Sequence, residues 1–123
     1  QKGSNITKER TRFDFTHPQK LTDDEKSKVE ALVNQWVAQD YEVKREVMPL
    51  AEARGLSAVG VFGEKYPATV SVYSVWDPAT GEVVSREFCG GPHVAHTGAI
   101  GRFSILKEEA VSAGVRRIKA TVG

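Results

Sequence analysis

One cysteine, Cys89, is all the thiol that 123 residues contain, so no disulfide can form within the chain. A lone thiol fits a reducing compartment, and the sequence reads as that of a cytoplasmic protein. Long apolar runs are missing as well. Nothing approaches the roughly 20 residues that cross a bilayer, and no signal-peptide pattern opens the sequence. No membrane partner is therefore expected. An excess of one charge is also lacking: 17 Lys and Arg against 16 Asp and Glu leave a formal net charge of +1. That balance gives no global pull on nucleic acid. No DNA partner is expected, and any RNA contact has to come from local basic clusters. Repeats and low-complexity tracts are absent. The length suits one domain with a real core, so residues 1–123 are read as a single domain.

What is present is ordered by periodicity. Gln1 to Glu9 is polar, with Gly3 and Ser4, and reads as a loop. From Arg10 to Thr16 polarity alternates around Phe13 and Phe15, which predicts a half-buried strand ended by Pro18. Thr22-Asp23-Asp24-Glu25 forms a capping box, and its aspartates favour the positive end of a helix dipole. The helix runs to about Asp40, with Val29, Leu32, Val33, Trp36 and Val37 as one apolar stripe expected to pack on a sheet. Tyr41 to Met48 alternates again and predicts a second strand. Pro49 to Arg54 reads as a single helical turn, started by Pro49 and stopped by Gly55. Thr69 to Trp76 and Val83 to Phe88 are β-rich, and the Pro and Gly of Asp77 to Gly81 predict a hairpin between them. Arg102 to Leu106 and Val115 to Val122 supply further strands, separated by Lys107 to Gly114. The expected fold is α+β: a largely antiparallel sheet of about six strands packed against one long helix.

The chemistry concentrates between Cys89 and Gly98, ten residues holding the cysteine and two of the three histidines. Thiolate sulfur and imidazole nitrogen both suit a borderline-soft ion such as zinc. Gly90, Gly91 and Pro92 would let the backbone fold back so that Cys89 and His93 converge. By spacing this is half a metal site. Structural zinc uses four protein ligands, and catalytic zinc usually three plus water. The plain alternative is a small buried thiol beside a hydrogen-bonded loop histidine. A strand ending at Phe88 delivers the chain straight into Cys89, so the pair sits on a rigid support. His17 reads as structural, and His96, three residues beyond His93, is a weaker candidate ligand. Arg116, Arg117 and Lys119 form the densest basic cluster, on the last strand. They fit either contact with RNA phosphates or a solvated face paired to Glu108 and Glu109.

Cys89-Gly90-Gly91-x-His93-Val94, followed by Thr97-Gly98-x-Ile100-Gly101-x-Phe103, resembles the alanyl-tRNA synthetase editing domain. That domain is shared with free-standing alanyl-tRNA editing proteins and, more distantly, with threonyl-tRNA synthetase. The resemblance continues through Ala113-Gly114-Val115-Arg116-Arg117-Ile118-Lys119-Ala120. It also takes in Gln1-Lys2-Gly3-Ser4, Arg12-Phe13-Asp14-Phe15-Thr16-His17 and Phe62-Gly63-Glu64-Lys65-Tyr66, nearly the whole sequence in order. Several motifs in register are far more specific than one short pattern. Pro92 is a departure, standing where the alanyl branch more often carries threonine and resembling the threonyl branch.

The resemblance implies hydrolysis of the ester that joins serine or glycine to the 3′ end of alanine tRNA. A pocket for alanine cannot reject these small competitors by size, so a second, hydrolytic sieve is required. It also implies zinc as cofactor, with Cys89 and His93 as two of four ligands. The other two would come from a His-x-x-x-His helix ahead of the Gln-Lys-Gly-Ser stretch. Besides His93 only His17 and His96 are present, and their spacing does not supply that pair. The zinc site is thus expected to be incomplete here, and the isolated chain to bind zinc weakly or not at all and to lack deacylase activity. Gln1 matches a glutamine close to the family's editing pocket and is the candidate catalytic residue. Arg116, Arg117 and Lys119 become candidate contacts with the acceptor end of alanine tRNA. The implied partners are that RNA and the remainder of a parent synthetase. The alternatives are a free-standing alanyl-tRNA editing protein and a non-catalytic zinc- or tRNA-binding module of the same fold.

Overall fold

The computed structural model describes residues 2–7, 9–60 and 65–123. Gln1 and the Phe62-Gly63-Glu64 stretch lie outside the described residues. The chain is α+β, and every strand pair in its sheets is antiparallel. The single sheet expected from periodicity is corrected: among the described residues seven strands form two sheets, one of four strands and one of three. Alternating polarity marks a strand but not its partner, and partner choice here follows two separate cores. The chain divides accordingly into two compact units, residues 1–38 with 100–123, and residues 39–99.

In the first unit the strands are β1 (Gly3–Ile6), β2 (Thr11–Thr16), β6 (Ser104–Ser112) and β7 (Val115–Thr121), in the order β1-β2-β7-β6. β1 was expected to be loop. Its residues are polar and Ile6 is exposed, but edge pairing of Gly3 to Ile6 with Asp14 to Thr11 satisfies the backbone without needing burial. β6 is longer than its apolar run: it continues through Lys107 to Ser112 into a two-residue turn in which Gly114 has φ 72°. Leu21, Ile118 and Ala120 are the buried core, with Phe15, Phe103 and Ile105 packed on them.

Helix α1 (Asp23–Gln39) starts with the expected capping box. Thr22 N–H donates to Glu25 Oε1 (2.9 Å) and Glu25 N–H to Thr22 Oγ1 (3.1 Å). Its apolar stripe behaves differently from expectation. No residue of α1 is buried, Val29 and Leu32 are exposed, and Val33, Trp36 and Val37 are half-buried. Polar side chains do the docking instead: Asn34 exchanges two hydrogen bonds of 2.8 Å with the Phe103 backbone, and Glu30 accepts the Ile105 N–H at 3.0 Å. β6 is an edge strand, and these side chains satisfy backbone groups that no neighbouring strand reaches.

In the second unit β3 (Glu42–Pro49), β4 (Thr69–Trp76) and β5 (Val83–Phe88) pair consecutively, and short α2 (Leu50–Gly55) follows β3. The expected β4–β5 hairpin is present. Asp77 accepts from Ala79 and Gly81, and Gly81 takes φ 76°. Met48, Ala53, Val70, Val72 and Phe88 form the core on one face of this sheet, with Val72 only 1% exposed. A further segment lies along β5: Val59 N–H donates to Arg86 and Phe88 N–H to Val59. Gly60 is required there, since a Cβ would come within 2.6 Å of the Tyr66 hydroxyl and 2.8 Å of the Phe88 ring. Among the described residues no helix is long and apolar enough to cross a membrane.

Candidate metal centre

Strand alternation puts Tyr73 of β4 and Glu87 of β5 on the face of the three-stranded sheet opposite its core. Cys89, two residues after Glu87, continues that face, because its N–H still donates to Ser71 of β4 at 3.1 Å. The chain then turns at Gly90-Gly91-Pro92. Gly91 N–H points back at Cys89 Sγ (3.4 Å), which fixes the direction of the sulfur. The turn returns His93 to the sheet, where its ring stacks on Tyr73 with centroids 3.8 Å apart and planes 19° from parallel. His93 Nε2 lies 3.5 Å from Glu87 Oε1. One donor atom from each of Glu87, Cys89 and His93 falls within 4.8 Å of the others. The convergence of Cys89 and His93 anticipated from the glycines is therefore present, and Glu87 joins them.

The far end of the loop is pinned within the same unit. Val43 N–H donates to Ala95 (3.0 Å), Thr97 N–H to Tyr41 (2.8 Å), and Tyr41 N–H to the buried Thr97 hydroxyl (2.8 Å). Asp40, with φ 52°, accepts from the His96 ring and from Gly98 N–H. The His96 hydrogen bond, followed by that from Gly98, holds the Asp40 carboxyl below the usual range. His96 is thus committed to Asp40 and stands outside the Glu87-Cys89-His93 cluster. His17 is likewise placed by the fold, its N–H on Gly114 and its ring near Phe15.

The donor chemistry fits zinc. Thiolate, imidazole and carboxylate are its ordinary protein ligands, and three of them leave a position open as in catalytic sites. Glu87 was missed in the sequence, although its i, i+2 spacing to Cys89 on a strand was a readable signal. Tyr73 was missed because nothing local links it to His93.

The basic cluster of β7 is split by the same alternation. Arg117 and Lys119 share one face, and Arg116 points to the other. Arg117 makes a two-pronged pair with Asp14, Nε–Oδ1 2.8 Å and Nη2–Oδ2 3.0 Å. Lys119 Nζ lies 3.1 Å from Glu109, which Lys107 also approaches at 3.2 Å. Arg116 Nε is 2.6 Å from Glu108, whose side chain is fully buried and also accepts Leu21 N–H. The hydrogen bond from Arg117 leads in pulling the Asp14 carboxyl below its usual range, against the opposing effect of burial. Glu108 is lowered chiefly by Arg116, and Glu109 chiefly by Lys119. Glu108 and Glu109 are the partners the solvated-face reading names, and Asp14 is a third. Gln1 lies outside the described residues.

Residues 70–119, which include Glu87, Cys89 and His93, match the family model for the threonyl and alanyl tRNA synthetase second additional domain. Curated relatives extend the match. The chain is 53% identical to an alanine–tRNA ligase of Treponema denticola over 99% of its own length and 19% of the relative's. It is 56% identical to that of Treponema pallidum over 98% and 19%. With the Thermus thermophilus ligase it shares 50% over 100% and 14%. The chain thus spans a fifth or less of the length of these relatives. Together these matches show that residues 70–119 belong to the threonyl and alanyl tRNA synthetase second additional domain family, within a chain similar over nearly its whole length to part of alanine–tRNA ligases.

Proposed function

We propose that residues 1–123 act as one proofreading domain, hydrolysing the ester of serine or glycine wrongly joined to alanine tRNA, as part of an alanine–tRNA ligase. The observation that carries the reading is the clustering of Glu87, Cys89 and His93 donors within 4.8 Å inside the family-matched segment. When bound, zinc supplies Lewis-acid charge for attack of water on an ester carbonyl. The chain's own residues do the rest. Cys89 and His93 would hold the ion, and Glu87 would add a third donor, an oxygen, or steady the His93 ring. Tyr73 fixes the plane of that ring, and Gly91 N–H holds the cysteine sulfur in place. In the overall reaction the water oxygen bonds to the carbonyl carbon, the bond to the ribose oxygen breaks, and that oxygen takes a proton. Gln1 stands in this reading beside the ester.

For the RNA, Arg117 and Lys119 share one face and are the proposed phosphate contacts of the first unit. Arg116, bonded to buried Glu108, serves the fold. The decisive assay is release of serine from mischarged alanine tRNA, by the chain alone and with a segment bearing the His-x-x-x-His helix supplied. Hydrolysis that appears with the added segment and disappears on chelation supports the proposal. Zinc binding without any hydrolysis in that complete form would favour a non-catalytic module instead.

A further inference from the structure

We infer that Arg45 is a phosphate contact of this same site, gripping the RNA backbone beside the ester presented to Glu87, Cys89 and His93. The inference rests on the hydrolytic reading and names the group that would hold the substrate's polyanionic part there. Register is the first support. Arg45 pairs with Tyr73, and Tyr73 with Glu87, so the three form one row across the sheet on its site-bearing face. Lys44 and Arg86 pair with Ser74 and belong to the opposite face, where they line a separate groove with Met48 and Trp76. Among the described strand residues of this sheet, Arg45 is thus the cation on the metal-site face.

The way Arg45 is held is the second support. Its Nη2 donates to Ser71 Oγ at 3.0 Å, while the Ser71 carbonyl accepts the Cys89 N–H at 3.1 Å. One residue therefore anchors both the guanidinium and the cysteine. A hydroxyl orients Arg45 without cancelling its charge, and four of its five N–H donors remain for a ligand. Arg116 and Arg117 instead spend their guanidinium groups on carboxylates. Arg45 is exposed, and a guanidinium fork matches two phosphate oxygens.

Scale is the third support. Arg45 and Glu87 lie two strand spacings apart, each about 4.8 Å. An ester on a terminal ribose has its nearest phosphodiester on the 5′ side of that same sugar, a separation that side chains reaching from both ends of such a row can span. The cation also offsets the negative charge of Glu87, which would otherwise repel RNA.

The test compares wild type with Arg45→Ala, Arg45→Lys and Arg45→Gln, using Arg54→Ala on α2 as a control. Binding of a short single-stranded RNA is followed against salt, alongside zinc per chain and KM and kcat on mischarged alanine tRNA. Arg45→Ala should weaken RNA binding about tenfold. It should flatten the salt slope by about 0.7, the value for one phosphate contact on a single strand. KM should rise with kcat little changed, and zinc should stay the same. Lys should recover part of the slope, and Gln none. If Arg45→Ala binds RNA with unaltered slope while Cys89→Ala still abolishes hydrolysis, the phosphate contact is wrong and the hydrolytic reading survives. If the complete wild type never hydrolyses the ester but loses RNA with Arg45, hydrolysis is wrong and the phosphate contact stands.

Discussion

The two sheets carry similar kinds of charge and use them in opposite ways. On the four-stranded sheet, Arg117 faces Asp14, and Lys119 and Lys107 share Glu109, so the cations are neutralised in place. On the site-bearing face of the three-stranded sheet, Glu87 faces a histidine and a thiol, and Arg45 rests on a hydroxyl. The first arrangement holds strands together. The second leaves lone pairs and positive charge available to something outside the chain. A paired cation has less to offer a phosphate than an unpaired one. The proposed contacts of Arg117 and Lys119 would therefore have to compete with Asp14 and Glu109, whereas among the described residues Arg45 would meet no carboxylate.

The sharpest way to break this contrast is to remove the donors. With the segment bearing the His-x-x-x-His helix supplied, Cys89→Ala should lower zinc affinity by more than about 100-fold, the upper range for losing a merely supporting group, and abolish deacylation. Thermal stability should change little, since Cys89 is only half-buried at a strand end. Glu87→Gln tests the third donor. Dialysed wild type should retain more zinc per chain than Glu87→Gln if the carboxylate is a ligand, and equal retention would confine the ion to Cys89 and His93.

Next in size is the core that supports the site. Phe88 is 8% exposed, contacts Tyr66 and immediately precedes Cys89. Phe88→Ala should cost about 3–5 kcal/mol in urea unfolding. Should the loss stay below about 1 kcal/mol, the β5 end would not be the rigid support proposed.

A smaller effect is expected from acid on the compensated sheet. The Asp14 and Glu108 carboxyls lie lower in the folded chain than the unfolded values near 4. Their stabilisation is thus complete above about pH 4 and drains away as pH falls through the lowered folded values. Asp14→Asn should be less stable than wild type at neutral pH and show a flatter decline below about pH 4. Parallel curves for the two proteins would mean that the Arg117 pair contributes nothing.

The smallest expected change separates packing from polarity at Tyr73. Tyr73→Phe keeps the ring against His93 and should leave hydrolysis within about twofold, whereas Tyr73→Ala should cost about tenfold or more by freeing the imidazole. Equal effects of the two variants would point to the hydroxyl instead of the stack.

Local signals in the sequence determined a good deal. Thr22 and Glu25 start α1 because reciprocal capping needs only three residues' separation, and Asp77 to Gly81 turn because their bonds close within five. The i, i+4 placement of Cys89 and His93 around two glycines and a proline likewise fixed a local convergence. Tertiary structure alone decided the rest. That β2 pairs with β7, and that β3, β4 and β5 close a sheet of their own, depends on which apolar faces find one another across long loops. The same holds for Tyr73 under His93, Arg45 on Ser71 and Arg117 on Asp14, contacts made across strand pairings that periodicity cannot specify. Alternation tells each residue which face it occupies, but only the packed core tells that face what it will meet.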